Sequence, residues 1–369
     1  MCVKLFITWF ICLLVMMSCK NSADWVPVYI STNTVDGGPG IYSLLFNTRT
    51  GKTKDLNVEV RGLKEPSFIC FSPDKSTLYA YNSAGTGPAE IIAFRVDPQT
   101  RELKEINRVS TPTRSFCYIA AFDNGSYLGV ASYGEGNAYS FSLNKDGSIG
   151  HRISFVQHEG KSIHSRQAGP HAHSMIQDPQ RGEIYIPDLG IDQIMIYSLN
   201  EGKLDSLGYA GAEAGAGPRH LAFHKNGRYM AAVNEINNTV WIYERDSLGL
   251  FTHPVDCQST LPDDFTGEST ASDIHFSPDG TVLYAANRGY DSIVILSFDP
   301  ETGKINRTGW VTEGIVFPRQ FAIDPTGRWM LIANQQGNSV SVYEIGEDPA
   351  SLTFTGEQVA ISEPMCILF

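Results

Sequence analysis

Charge is scarce in this chain. Only 18% of the 369 residues are Asp, Glu, Lys or Arg, and the formal net charge is −12. No basic run interrupts that acidity. Phosphate backbones are held by clustered Lys and Arg, so nucleic acid is excluded as a partner. Past Cys19 no apolar stretch is long enough to cross a bilayer. The seven cysteines contain no CxxC pair, which removes the common zinc and redox signatures. There is no GxSxG elbow, no His-partnered Cys and no phosphate-cradling Gly loop, so neither a nucleophilic triad nor a nucleotide site is indicated. Nothing calls for a cofactor.

What the chain does have is a repeated phrase. Gly217–Glu235 reads GPRHLAFHKNGRYMAAVNE, Ala271–Gly289 reads ASDIHFSPDGTVLYAANRG, and Phe317–Gln335 reads FPRQFAIDPTGRWMLIANQ. Each copy is an apolar strand, a turn rich in Pro, Asp, Asn and Gly, and a second apolar strand ending in Asn. A third strand follows, as in TVWIYE, SIVILSFD and SVSVYE. The second-strand ends are Asn82, Ser132, Asp188, Asn234, Asn287 and Asn334, which lie 50, 56, 46, 53 and 47 residues apart. That period suits propeller blades of four antiparallel strands, units that bury their apolar faces only by stacking. With 34 Gly and 19 Pro, composition also predicts a turn-rich, all-β chain.

The chain ends predict a seventh copy. VPVYIST, from Val26, resembles a second strand with no first strand before it, and the final EPMCILF resembles EPSFICF at Glu65–Phe71. Glu363–Phe369 is therefore expected to supply the innermost strand of the first blade, closing a ring of seven and hiding its edges. Residues 1–19 stand outside this domain of residues 20–369. Lys4, the apolar run Leu5–Met17 and then Ser18-Cys19 read as a signal peptide of lipoprotein type. Cys19 is the expected lipid-bearing residue, giving an exported chain held to a membrane through that lipid. A cytoplasmic location is the alternative if the signal is not used. Cys70, Cys117 and Cys366 fall in inner-strand segments and read as small buried hydrophobes.

The propeller reading places the chemistry. In each blade the start of the first strand and the end of the second emerge at the same mouth of the central channel. First-strand starts offer His171, His173, Arg219, His220, Asp273, Arg319 and Gln320. Second-strand ends offer Asn82, Asp188, Asn234, Glu235, Asn287, Arg288, Asn334 and Gln335. The recurrent Asn reads as a turn element. Glu235 does not, because the other blades place Arg288 and Gln335 there. Arginines, histidines and one glutamate at a shared mouth suit binding an anion and moving a proton. His171 and His173 alone, at i and i+2 with no third ligand in view, do not make a metal signature. Counting back from Asp188 makes His173 the equivalent of Arg219, whereas counting from Gly169-Pro170 makes it His171. A bulge would reconcile the two.

GPHAHS, GAGPRHLAFHKNGRYMAAVNE, SDIHFSPDGTVLYAANRG and FPRQFAIDPTGRWMLIANQ resemble the seven-bladed lactonase family. That family holds the propeller-type 6-phosphogluconolactonases and the fungal carboxymuconate cycloisomerases. The resemblance spans Val26–Phe369 and is strongest from His171 to Val340. It implies that His171, Arg219, Glu235 and Arg288 are catalytic positions, and hydrolysis of a small anionic sugar lactone is the expected activity. Glu235 is then expected to act as general base, Arg219 and Arg288 on the anion or oxyanion, and His171 or His173 on the proton. Arg319, His220, His173 and Gln335 are expected to contact substrate. A muconate-type lactonizing cycloisomerase and a non-catalytic exported binding propeller are the competing expectations. An export signal fits poorly with an intracellular sugar phosphate as substrate.

Overall fold

The computed structural model describes residues 24–34, 37–83 and 87–369. The proposed signal and Cys19 lie outside the described residues. Seven four-stranded antiparallel sheets are arranged as blades, with no α-helix among the described residues. The ring closes as the ends of the chain predict. Pro364–Leu368 pairs antiparallel with Trp25–Thr32, matching Tyr29 with Leu368 and Ile30 with Ile367. Trp25–Thr32 is thus the second strand of its blade, followed outward by Ile41–Asn47 and Thr53–Val60.

Burial falls from the inner part of each blade to its rim. The second strands Tyr229–Asn234 and Trp329–Asn334 are buried along their whole length, because each is covered on both faces by neighbouring blades. The outermost strand Thr53–Val60 alternates, with one face packed and the other wet. The core lies between blades: Tyr229, Ala231 and Val233 pack on Ile274, Leu283 and Ala285 of the next sheet. Aromatic second-strand residues also pin one blade to the next through their polar ends. Tyr29 Oη donates to Arg101 O at 2.7 Å, Tyr284 Oη to Pro349 O at 2.6 Å, and Trp329 Nε1 to Thr48 O at 2.7 Å. The repeated hairpin turn places Gly227, Gly280 and Gly327 at φ of 69°, 80° and 75°, a left-handed conformation that explains why the motif carries Gly there.

Two inner strands are short. Cys70–Phe71 and Ile176–Gln177 are only two residues each, so GPHAHS is mostly irregular backbone joined to the sheet by an Ala172–Asp188 bridge. In the following blade Pro218 pairs with Asn234 and His220 with Val233, leaving Arg219 bulged from the ladder. Pro318 and Gln320 flank Arg319 in the same way. Since Asp188 corresponds to Asn234, Ala172 corresponds to Pro218 and His173 to Arg219. The bulges aim these side chains into the channel, a common use of an extra residue near a site.

Candidate active site

Glu235 follows the strand Tyr229–Asn234, where its amide donates to Gly217 O at 2.7 Å. Its carboxylate is almost fully buried, and cations surround it. Arg219 Nε lies 2.8 Å from Oε2, Arg288 Nη2 3.1 Å from Oε2, and Arg166 Nη2 2.6 Å from Oε1. His173 Nε2 is 3.8 Å from Oε2. Burial by itself would raise the carboxyl pKa. Arg288, Arg219, His173 and Arg166 outweigh that and hold it well below the usual range, so Glu235 is an anion at neutral pH.

Arg219 is committed to this scaffold. Besides Glu235, its Nη1 donates to Ser272 O and to His220 Nε2, the latter at 3.1 Å. Burial, then Arg319 and Arg288, pushes its guanidinium down to about 9, still protonated at neutral pH. His220 Nδ1 sits 2.7 Å from Asp273 Oδ1, and Asp273 Oδ2 is 3.0 Å from His275 Nε2. Burial and Arg219 push His220 down to about 4, so the ring is neutral. With Nδ1–H donated to the Asp273 carboxylate, Nε2 is left to accept from Arg219. A hydrogen-bonded chain therefore runs Glu235–Arg219–His220–Asp273–His275 through the centre of the ring, with Phe68 and Tyr118 edge-on to His220.

The two histidines of GPHAHS occupy different places. His173 lines a cavity of about 500 Å³ together with Glu235, Arg166, Arg288, Arg319 and Tyr133. Burial, then Arg219, holds His173 well below the usual histidine range and keeps it neutral. His171 lies behind that wall. Its ring stacks on Tyr133 at 4.3 Å, its Nδ1 is 2.6 Å from Tyr133 O, and its amide donates to Asp188 Oδ1. Asp188 in turn meets buried His158 at 2.7 Å.

Arg288 reaches Glu235, donates to Ala271 O and lies over the Phe317 ring. Arg319 differs from the other arginines. It is half-buried on the cavity wall and makes no hydrogen bond or ion pair among the described residues. Gln335, grouped with the substrate contacts in the sequence, lies outside the cavity lining, with its Oε1 buried and unpartnered. His220 is likewise absent from that lining, being spent on Arg219 and Asp273. Cys117 is at the wall, but burial pushes its thiol up to about 12, which keeps it from acting as a thiolate. Among the described residues no group of three or more His, Cys, Asp and Glu side chains is arranged to hold a metal ion.

Sequence reasoning missed Arg166, Tyr133 and Phe317. Arg166 donates to both Glu235 Oε1 and Tyr133 Oη. It comes from residues 158–175, which join two blades and carry no repeat period. The only available signal was the unusual length of that connection.

Comparison with known proteins agrees with the architecture. Residues 27–369 match the family described as Lactonase, 7-bladed beta-propeller. The chain is 30% identical over 341 residues to the 6-phosphogluconolactonase of Bacillus subtilis, covering 92% of this chain and 97% of that one. It is 30% identical over 335 residues to the 6-phosphogluconolactonase of Formosa agariphila, covering 88% and 94%. Among solved structures, the periplasmic gluconolactonase PpgL of Pseudomonas aeruginosa superposes with a TM-score of 0.87 at 27% identity, covering 93% of this chain and 98% of that one.

Proposed function

The chain belongs to the seven-bladed β-propeller lactonase family, and from that premise we propose that it opens a small anionic sugar lactone in the Glu235 cavity. One observation carries the reading: a carboxylate ionised at neutral pH and a half-buried guanidinium with no ion-pair partner among the described residues, Arg319, face the same cavity. A site for a neutral ligand gains nothing from a half-buried cation with no ion pair, whereas an anionic substrate supplies the missing partner.

The reaction adds water to the lactone carbonyl. Glu235 orients that water and takes its proton as the new C–O bond forms. It is a weak base, but general-base help of roughly 10²–10⁴-fold is enough for an ester that already opens readily. Arg288 faces the carbonyl oxygen and stabilises the oxyanion. Collapse breaks the ring C–O bond, and the proton that Glu235 took from water passes to His173 Nε2, 3.8 Å away, and from the transient imidazolium to the departing alkoxide. The product is a hydroxy acid that ionises, releasing one proton to solvent. His173 is assigned this step because it lines the cavity, while His171 holds Tyr133 and the turn in place.

Arg319 and Arg219 are therefore expected to behave differently. Arg319→Ala should raise KM for an anionic lactone by about tenfold or more, as loss of a charge-assisted contact does, with a smaller change in kcat. Arg219→Ala should lower kcat and stability together, because it removes one of the three arginines that hold Glu235 and leaves His220 Nε2 and Ser272 O unpartnered. Steady-state kinetics on both variants checks this. Equal KM for Arg319→Ala and wild type would remove Arg319 from substrate binding.

Export with lipid attachment at Cys19 is part of the same proposal. It is supported by the Leu5–Met17 run and by the periplasmic setting of PpgL, and it favours a lactone other than an intracellular phosphosugar. Intact mass of membrane-fraction protein tests it, and a soluble chain beginning at Met1 would contradict it.

A further inference from the structure

The reacting cavity is only the inner part of a larger recess. A second cavity of about 690 Å³ adjoins it, and the two share Arg166, Thr270, Arg288 and Phe317 as a common wall. The blade architecture does not require this outer space. It lies between the two longest connections from an outermost strand to the next inner strand among the described residues, 158–175 and 260–269. The equivalent connections 212–217 and 312–317 are much shorter. Long connections on a rigid scaffold are where binding surfaces are usually added. Gly289 holds one of them close: a side chain there would collide with the backbone carbonyl of Glu268, so the 260–269 connection lies directly against the turn after Arg288.

The chemistry changes between the two cavities. The inner one is cationic, with Arg166, Arg288 and Arg319 against Glu235. The outer one adds the carboxylates of Glu268 and Asp291, the amide of Gln336 and the imidazole of His164. Glu268 and Gln336 are exposed at its rim and carry no side-chain hydrogen bond or ion pair among the described residues. Leu261 and Ile236 supply apolar surface beside them. A second anionic group placed there would face two carboxylates. A hydroxyl donates to a carboxylate and accepts from an amide, and a sugar ring presents C–H faces to apolar side chains.

We propose that the outer cavity is a subsite for a neutral sugar unit attached to the lactone, so that the preferred substrate is an anionic lactone carrying a further sugar rather than a single-sugar lactone. This rests on the lactonase reading for the inner cavity.

The test compares glucono-lactone with lactobiono-lactone, which share the reacting ring and differ by one galactosyl unit. Calorimetry with the stable products gluconate and lactobionate runs alongside. The expected kcat/KM ratio favours the disaccharide lactone by at least about tenfold, and lactobionate binds more tightly than gluconate. In a Glu268→Ala, Gln336→Ala double variant both preferences should collapse toward unity. Equal or poorer use of the disaccharide lactone, with lactobionate binding no tighter than gluconate, overturns the subsite while leaving the lactonase reading intact. If wild type opens neither of these neutral lactones, the calorimetric comparison alone decides the subsite, and the lactonase reading is judged on the anionic lactones.

Discussion

Glu235→Gln should lower kcat for lactone opening by at least about 10²-fold, the usual scale of general acid–base assistance. It should also destabilise the fold. The sequence suggests a side chain whose removal leaves folding intact. The structure shows instead a carboxylate that neutralises Arg166, Arg219 and Arg288 at once in a buried setting. Breaking a buried ion pair by removing one partner costs about 3–5 kcal/mol, and here three guanidinium groups lose their counterion. Rates must therefore be measured on protein whose circular dichroism is native at the assay temperature. Glu235→Asp keeps the charge and shortens the reach, so it should restore most of the stability and only part of kcat.

The pH dependence has a definite sign. Because the folded pKa of Glu235 is depressed, its contribution to stability is complete above the ordinary carboxyl value of about 4.3 and is lost as pH falls through the lower folded value. Protonation of Glu235 should thus put no acid limb on the wild-type rate above about pH 4.5. A kcat that falls with a midpoint between pH 5 and 6, and a Glu235→Gln variant in which that limb is missing, would show that the carboxyl is not held as the arginine cage implies.

Deletion of Glu363–Phe369 should abolish the folded state at ordinary temperatures. The segment provides the innermost strand of the blade that holds Trp25–Thr32. Met365, Cys366 and Ile367 are buried, and each such side chain is worth about 1.5–3 kcal/mol when fully removed from water. The segment also reaches the preceding blade, where the Ile367 amide donates to Gln320 Oε1 at 2.8 Å. Loss on this scale approaches the whole of a typical 5–15 kcal/mol stability. The bared edge of Trp25–Thr32 would in addition invite pairing between chains. Soluble expression and thermal melting of the truncated chain check this. A truncated protein that melts like the full chain would mean that the ring does not depend on its closing strand.

These expectations also mark what the sequence makes legible. The blade count was readable because a repeat that cannot bury itself must stack, and EPMCILF matched a strand opening elsewhere in the chain. Glu235 stood out because its position in the repeat carries Arg288 and Gln335 in other blades. Position within a repeat does not disclose the partner of a side chain. Arg219 was expected on the substrate, but the bulge beside Pro218 turns it toward Glu235, His220 and the carbonyl of Ser272. Gln335 follows its strand as Glu235 does, yet lies away from the cavity lining. His171 and His173 were ambiguous because the short strand Ile176–Gln177 leaves GPHAHS without a ladder to count along. Arg166 was invisible for a different reason. It belongs to a connection whose course is set by tertiary contacts rather than by a repeat.

The most direct test of the central claim is acid release in a pH-stat, corrected for spontaneous opening, with wild type and Glu235→Gln on a panel that includes 6-phosphogluconolactone and glucono-lactone. Wild type should release acid saturably on at least one of them, and Glu235→Gln should retain no more than about 1% of that kcat. Wild-type release no faster than the spontaneous reaction on every lactone, or a Glu235→Gln variant as active as wild type, would contradict the account.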